Sequence, residues 1–309
     1  MIKLKYLNID DRLEYHRIAL GRKKAKGCRI ECIDYYIDKC NTCDKNYKAV
    51  MLGIEDYIIS RYKTYEDNID KQDAIRPERI LSPAKVKVLK GAYDSSVFNN
   101  TRSELMNNLP NEIKGMCPFC LIGEPSTLEH YLPKDIFPEY SIFTKNLIPC
   151  CSKCNGLKGT KYSNIDGTRR IINYYVDNIN SISFLRVNLV IENDCGMPII
   201  EYYICVDSGD RLSPIIKGHF EQLDLLRRYN DRAMGLLSSI TDIMILQLDR
   251  KSIDEALDDS IELLKYRVHS LINQYGKNYW KACLCKFLVE NRDIFKRIIT
   301  NRIISENTV

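Results

Sequence analysis

The stretch that decides the reading is CPFC at 117–120 followed, after eight residues, by EHYLPKDIFPEYSIFTKNLIPCCSKCNGLKGT at 129–160. It gathers five of the chain's 13 cysteines and one of its four histidines. Cys117-Pro-Phe-Cys120 and Cys151-Ser-Lys-Cys154 are two C-x2-C hooks separated by 30 residues. Two such hooks can wrap four thiolates around one tetrahedral Zn2+, and a site of four thiolates leaves no open position, so its role is structural. Adjacent Cys150 leaves a second pairing open, Cys150-x3-Cys154; the two-residue gap favours Cys151, with Cys150 facing a core.

The chemistry lies between the hooks. STLEHYL reads as a strand, which points Glu129 and His130 to opposite faces, so the two residues need separate roles. Asn146 opens a second apolar strand, NLIPCC, and Asn155 follows Cys154 at the start of a short basic helix, NGLKG. The expected unit is a zinc-stapled strand, strand, helix module at 111–180.

From 117 to 158 the order is C-x2-C, an acidic residue and His, Pro-Lys, then N-L-x-P-x-C-x2-C-N-x2-K, with steps of 16 and 9 residues from His130 to Asn146 to Asn155. This pattern resembles the HNH endonuclease superfamily in its H-N-N version. The resemblance implies a ββα-metal fold for the segment and a nuclease activity, with His130 as the general base that activates water against a phosphodiester. Histidine suits that role because its ordinary pKa near 6.5 makes the neutral form available at pH 7. Glu129 and Asn155 would supply oxygen ligands to one hard cation, Mg2+ or another divalent ion. Asn146 would hold the loop that orients the histidine. The chain departs from the commoner Asp-His pair, since Glu129 adds a methylene to the arm that reaches the metal. Lys134 and Lys158 flank the expected groove and are candidate phosphate contacts. The wording of the motif is also similar to HNH proteins of bacterial antiphage and mobile-element systems, which implies an ATPase partner or a homodimer.

The rest of the chain reads as scaffold. Residues 1–110 are mostly helical: YKAVMLGIEDYIISRYKTYEDNI carries Met51, Ile54, Tyr57, Ile58 and Tyr62 at helical steps, and Ser82-Pro83 marks another helix start. At 181–213, Leu185, Val187, Leu189 and Ile191 share one parity, as do Ile200, Tyr202, Ile204 and Val206, with DCGMP as the turn between them, which predicts a β-hairpin. Residues 214–309 are helical, with a capping box at Ser252 and Glu255, and are the candidate surface for partner or self-association. The fold class expected is α+β, a ββα module in a mainly helical chain. Cys28, Cys32, Cys40 and Cys43 offer a second zinc set, set against a helical core reading of the same residues. His16, His219 and His269 read as ordinary helix residues.

Over 309 residues, 46 Lys and Arg against 41 Asp and Glu give a net charge of +5, compatible with a nucleic-acid partner without requiring one. No Gly-rich phosphate cradle is present, so a nucleotide-driven step would need another subunit. The N-terminus has no signal-peptide pattern and no window is long and apolar enough to span a bilayer, so the expectation is a cytoplasmic protein with no membrane partner. Two function classes remain: a metal-dependent endonuclease on DNA, with RNA left open by basic residues interleaved with aromatics in TKYSNIDGTRRIINYY, and a non-catalytic zinc-module adaptor for nucleic acid or protein.

Overall fold

Where the sequence shows one apolar stripe from Tyr47 to Ile69, the chain forms two helices. The computed structural model describes residues 2–21, 23–24, 36–37, 45–191 and 198–307, and the first of these helices, α2 (Lys45–Gly53), stops one residue before the next, α3 (Glu55–Asn68). Ile54 at the break takes φ −120° and ψ 6°, outside the helical well, next to a glycine that weakens helix continuity. Met51, Ile54, Ile58 and Tyr62 are all buried despite the break. Cys28, Cys32, Cys40 and Cys43 lie outside the described residues.

The chain is α+β and mostly helical, with small two-stranded antiparallel sheets. It divides into two compact units, one of Lys3–Asn178 with Pro214–Leu223, the other of Met1–Ile2, Ile179–Ser213 and Asp224–Val309. Among the described residues no helix is long and apolar enough to cross a membrane.

In the first unit, helix α1 (Asp11–Ala19) is capped by the Asp10 carboxylate, which accepts from the amides of Arg12 and Leu13. A two-residue pairing of β1 (Lys23–Lys24) with β2 (Tyr36–Ile37) follows it, and α4 (Pro83–Asp94), with Pro83 in its first turn, and α5 (Asn99–Asn107) come after α3. The cysteine-rich segment then forms β3 (Thr127–His130) antiparallel to β4 (Leu147–Cys150), pairing Thr127 with Cys150 and His130 with Leu147, and α6 (Ser152–Lys158) packs on β3. The expected NGLKG helix starts three residues earlier than its sequence cue, because the Cys151 sulfur caps it by accepting from the Cys154 amide at 3.4 Å.

Helix α3 holds the loop between the strands. Tyr62 stacks on Phe143 with ring centroids 4.0 Å apart, Tyr65 meets the same ring edge-on at 5.1 Å, and Tyr65 donates its hydroxyl to the Lys145 carbonyl at 3.0 Å. The buried Arg61 guanidinium pairs with Glu139 at 3.2 Å, and Tyr140 donates its hydroxyl to the Arg61 carbonyl at 2.9 Å. Such aromatic contacts add about 0.5–1.5 kcal/mol each beyond burial, so the N-terminal helices fix the loop that carries Asn146.

The apolar run from Phe220 to Leu248 also breaks, into α7 (Ser213–Gln222) and α8 (Leu225–Ile245), at Asp224, which adopts a left-handed φ of 51°. Asp tolerates this region better than most residues. In the second unit, β5 (Leu185–Val190) pairs with β6 (Ile199–Ile204), placing Leu189 opposite Ile200 and Val187 opposite Tyr202. These apolar residues are buried while Asn188 and Glu201 are exposed, the face alternation read from the sequence. Of the DCGMP turn, only Pro198 is among the described residues. β6 packs on α8 and β5 on α10 (Trp280–Glu290), which packs in turn on α9 (Ile253–Tyr275) and α11 (Arg292–Asn307). The box at Ser252 and Glu255 is formed in both directions at the start of α9.

Candidate functional site

Cys117, Cys120, Cys151 and Cys154 are buried and their sulfurs lie within 4.8 Å of one another, with Cys120 and Cys151 3.9 Å apart. A tetrahedron with metal–sulfur bonds of about 2.3 Å has edges of about 3.8 Å, so this group could hold one structural Zn2+. Hydrogen bonds from Cys117, Cys120 and Cys154 hold the Cys151 thiol far below its usual range, while burial drives Cys117 far above it. Four sulfurs this close share protons unequally until a cation allows all of them to ionise. Cys150, one residue along β4, points elsewhere, its sulfur 3.4 Å from the Thr127 hydroxyl. The first hook closes through the Cys117 amide, which donates to the Gly123 carbonyl at 2.7 Å. A Cβ at Gly123 would lie 3.0 Å from the Cys151 Cβ and 3.1 Å from its sulfur, so a side chain there would press on the cysteine cluster.

His130, at the end of β3, is 7% exposed, and its Nε2 lies 2.9 Å from the Ser141 carbonyl oxygen. A carbonyl only accepts, so Nε2 carries the proton and Nδ1 keeps the lone pair. Burial, with Lys134 and Lys158 opposing the Ser141 bond, pushes the His130 pKa down to about 3, so the ring is neutral at pH 7. The loop that presents Ser141 is closed by Asn146, fully buried, whose Oδ1 accepts from the Leu132 amide at 2.8 Å and whose Nδ2 donates to the carbonyls of Leu132 at 3.0 Å and Tyr140 at 3.3 Å. Every polar atom of the amide is therefore used to hold the turn whose next residue orients His130.

Thr127 and Glu129 share the opposite face of β3, and α6 covers it. Asn155 donates to the Thr127 hydroxyl at 3.0 Å. The sequence reading put Lys158 at the edge of a groove, but its side chain is 1% exposed, with Nζ donating to Glu129 Oε1 at 2.7 Å and to the His130 carbonyl at 2.8 Å. The i, i+3 step from Asn155 to Lys158 puts both on one helix face, and that face turns inward. Burial raises the Glu129 pKa against the pull of Lys158, and burial lowers that of Lys158 against the pull of Glu129. Both shifts say that desolvation outweighs the mutual attraction, so each partner depends on the other to stay charged. Lys158→Ala is therefore expected to destabilise this unit by roughly 3–5 kcal/mol by leaving a carboxylate buried and unpaired, whereas the double variant Lys158→Met with Glu129→Gln costs far less; thermal melts of wild type and the two variants measure the difference.

Lys134 stays near the surface, its side chain 28% exposed, 3.7 Å from Asp94 and with its ammonium 4.6 Å from the centre of the Tyr93 ring. Sequence reasoning missed His219. It is fully buried on α7, where its Nδ1 accepts from the Ile172 amide at 3.4 Å and its Nε2 lies 3.1 Å from the carbonyl of Phe119, inside the first cysteine hook. An isolated histidine in a helical run carries no signal for such a contact. His16 instead meets Glu55 at 2.9 Å, and His269 lies 2.9 Å from Asn273.

The chain is 29% identical over 193 residues to Protein ea31 of Escherichia phage lambda, covering 59% of this chain and 64% of that protein. It is 46% identical over 44 residues to Septu protein PtuB of Bacillus thuringiensis, covering 13% of this chain and 17% of that one. The chain thus spans less than two thirds of either relative. No family model and no solved structure matches it.

Two kinds of donor set lie on one hairpin. Four soft sulfurs suit Zn2+, while the Glu129 carboxylate and the Asn155 amide are hard oxygen donors of the type that Mg2+ takes. His130 offers a neutral nitrogen base on the other face of the same strand.

Proposed function

We propose that this protein is a metal-dependent endonuclease of the HNH type that hydrolyses phosphodiester bonds in DNA, with 111–180 as its catalytic module. The observation that carries the reading is the imidazole of His130, held with Nδ1 as the basic nitrogen by the Ser141 carbonyl on a loop closed by Asn146. His130 takes the proton from the attacking water. Glu129 and Asn155 would hold Mg2+, which would supply charge neutralisation at the phosphate and the leaving oxygen. Lys158 pairs with Glu129 and favours its ionised form in the buried position, the form in which this carboxylate would be a metal ligand. Lys134, half-buried beside the His130 face, contacts the nucleic-acid backbone.

The setting we infer is defence against phage or foreign DNA, supported by the short likeness to a Septu protein and by the motif's resemblance to HNH proteins of such systems. The helices at 214–309 are the surface for an ATPase partner or a second copy. One observation favours an adaptor instead: the Glu129 carboxylate is already engaged by Lys158. The two separate on a panel of duplex DNA, single-stranded DNA and RNA, assayed with and without Mg2+ at constant ionic strength. The nuclease cleaves duplex DNA only with the divalent ion, whereas an adaptor binds without cleaving and ignores it.

A further inference from the structure

Helix α4 lies outside the cysteine-stapled hairpin, yet it places Tyr93 directly against His130, with ring centroids 4.5 Å apart and planes at 62°. Resting on the nuclease reading above, we propose that Tyr93 is a positioning residue for His130, setting the tilt of the imidazole that activates water. One hydrogen bond cannot do this alone. The outer torsion of a histidine side chain is broad, and a bond to the Ser141 carbonyl leaves the ring free to rock about its Nε2. The Tyr93 ring closes that freedom from the side.

The tyrosine is itself held from several directions. Its hydroxyl donates to the Leu128 carbonyl on β3 at 3.3 Å, and its ring lies 5.5 Å from that of fully buried Phe98. The guanidinium of Arg102, on α5, sits 4.8 Å from the ring centre and also donates to the Tyr93 carbonyl. Lys134 lies 4.6 Å from the same ring centre. A ring tied to the strand that carries His130, and flanked by cations and a buried phenylalanine, is a stiff wall rather than a loose surface aromatic. The helices before the module thus contribute to the site as well as to its scaffold.

The test compares Tyr93→Leu and Tyr93→Phe with wild type and His130→Ala, all as full chains with their zinc. Single-turnover cleavage of duplex DNA in Mg2+ gives the maximal rate and the DNA concentration for half-saturation. Tyr93→Leu is expected to lower the rate about 10- to 100-fold while leaving half-saturation within about two-fold, and Tyr93→Phe, which keeps the ring, restores most of the rate. A purely structural role would change the melting temperature without this split. Long-range proton–nitrogen NMR of the histidine rings gives a readout that needs no cleavage: wild type and Tyr93→Phe show one His130 tautomer protonated at Nε2, and Tyr93→Leu shows an averaged ring. Tyr93→Leu with the wild-type rate, in a preparation where His130→Ala is inactive, overturns this inference and leaves the nuclease reading standing. An unchanged His130 spectrum in Tyr93→Leu overturns it as well. Cleavage equal in wild type and His130→Ala removes the catalytic base itself, and the NMR arm still decides whether Tyr93 holds the ring.

Discussion

Stripping zinc from the purified protein, or replacing Cys151 with serine, is expected to unfold the hairpin and α6 rather than to slow a working enzyme. The four sulfurs bring together the two hooks, the cap of α6 and the turn at Gly123. Structural zinc contributes roughly 10–16 kcal/mol of apparent binding free energy in small domains, comparable with the whole stability of an ordinary fold of about 5–15 kcal/mol. Without the ion, four buried sulfurs within 4.8 Å of one another have no cation to hold them as thiolates. Metal analysis is expected to find one zinc per cysteine set in wild type, with Cys151→Ser losing both the metal and the cooperative melt. Cys150→Ser is the control: its sulfur lies against the Thr127 hydroxyl, outside the four-sulfur group, and its loss is expected to leave the metal in place. Excess Mg2+ does not rescue the zinc-free protein, because a hard cation has little affinity for thiols. A Cys151→Ser protein that keeps its zinc and its melting temperature would transfer the ligand role to Cys150.

The second large effect is catalytic. His130→Ala is expected to lower cleavage about 10²- to 10⁴-fold, the usual range for a positioned general base, while the protein stays folded. Folding is expected to be retained because the alanine leaves the Ser141 carbonyl without its donor, a loss of about 1–3 kcal/mol, and removes the contact with the Tyr93 ring, while the hairpin pairing and the cysteine cluster stay intact. Asn146→Ala makes a poorer test, since three hydrogen bonds to Leu132 and Tyr140 disappear with it. The same reasoning applies to Glu129→Ala, which strands the Lys158 ammonium, so Glu129→Gln is the cleaner probe of metal binding.

The parts of the site legible in the sequence were those fixed by spacing. The hooks at Cys117 and Cys151 close at the distances their two-residue gaps require, and strand parity puts His130 on the face of β3 opposite Thr127 and Glu129. Asn146 also sits where a loop-holding amide was expected. What stayed hidden depends on long-range packing. No local pattern tells a solvated lysine from Lys158, whose neighbours across the hairpin come 28 and 29 residues earlier. Tyr93 reaches His130 from a separate helix, and the breaks at Ile54 and Asp224 interrupt apolar stripes that run straight through them. In each case a tertiary contact or a single backbone torsion overrode a periodic signal, which is the ordinary limit of propensity.

The most direct measurement is the Mg2+-dependent conversion of supercoiled plasmid to nicked and linear forms by zinc-loaded wild type and by His130→Ala, followed to completion at equal concentration. Rapid conversion by wild type, stopped by chelating the Mg2+ and reduced at least 100-fold in a folded, zinc-loaded His130→Ala, is the result expected of a general base at this position. Conversion by His130→Ala at the wild-type rate would mean that the imidazole held by Ser141 and Asn146 does no chemistry.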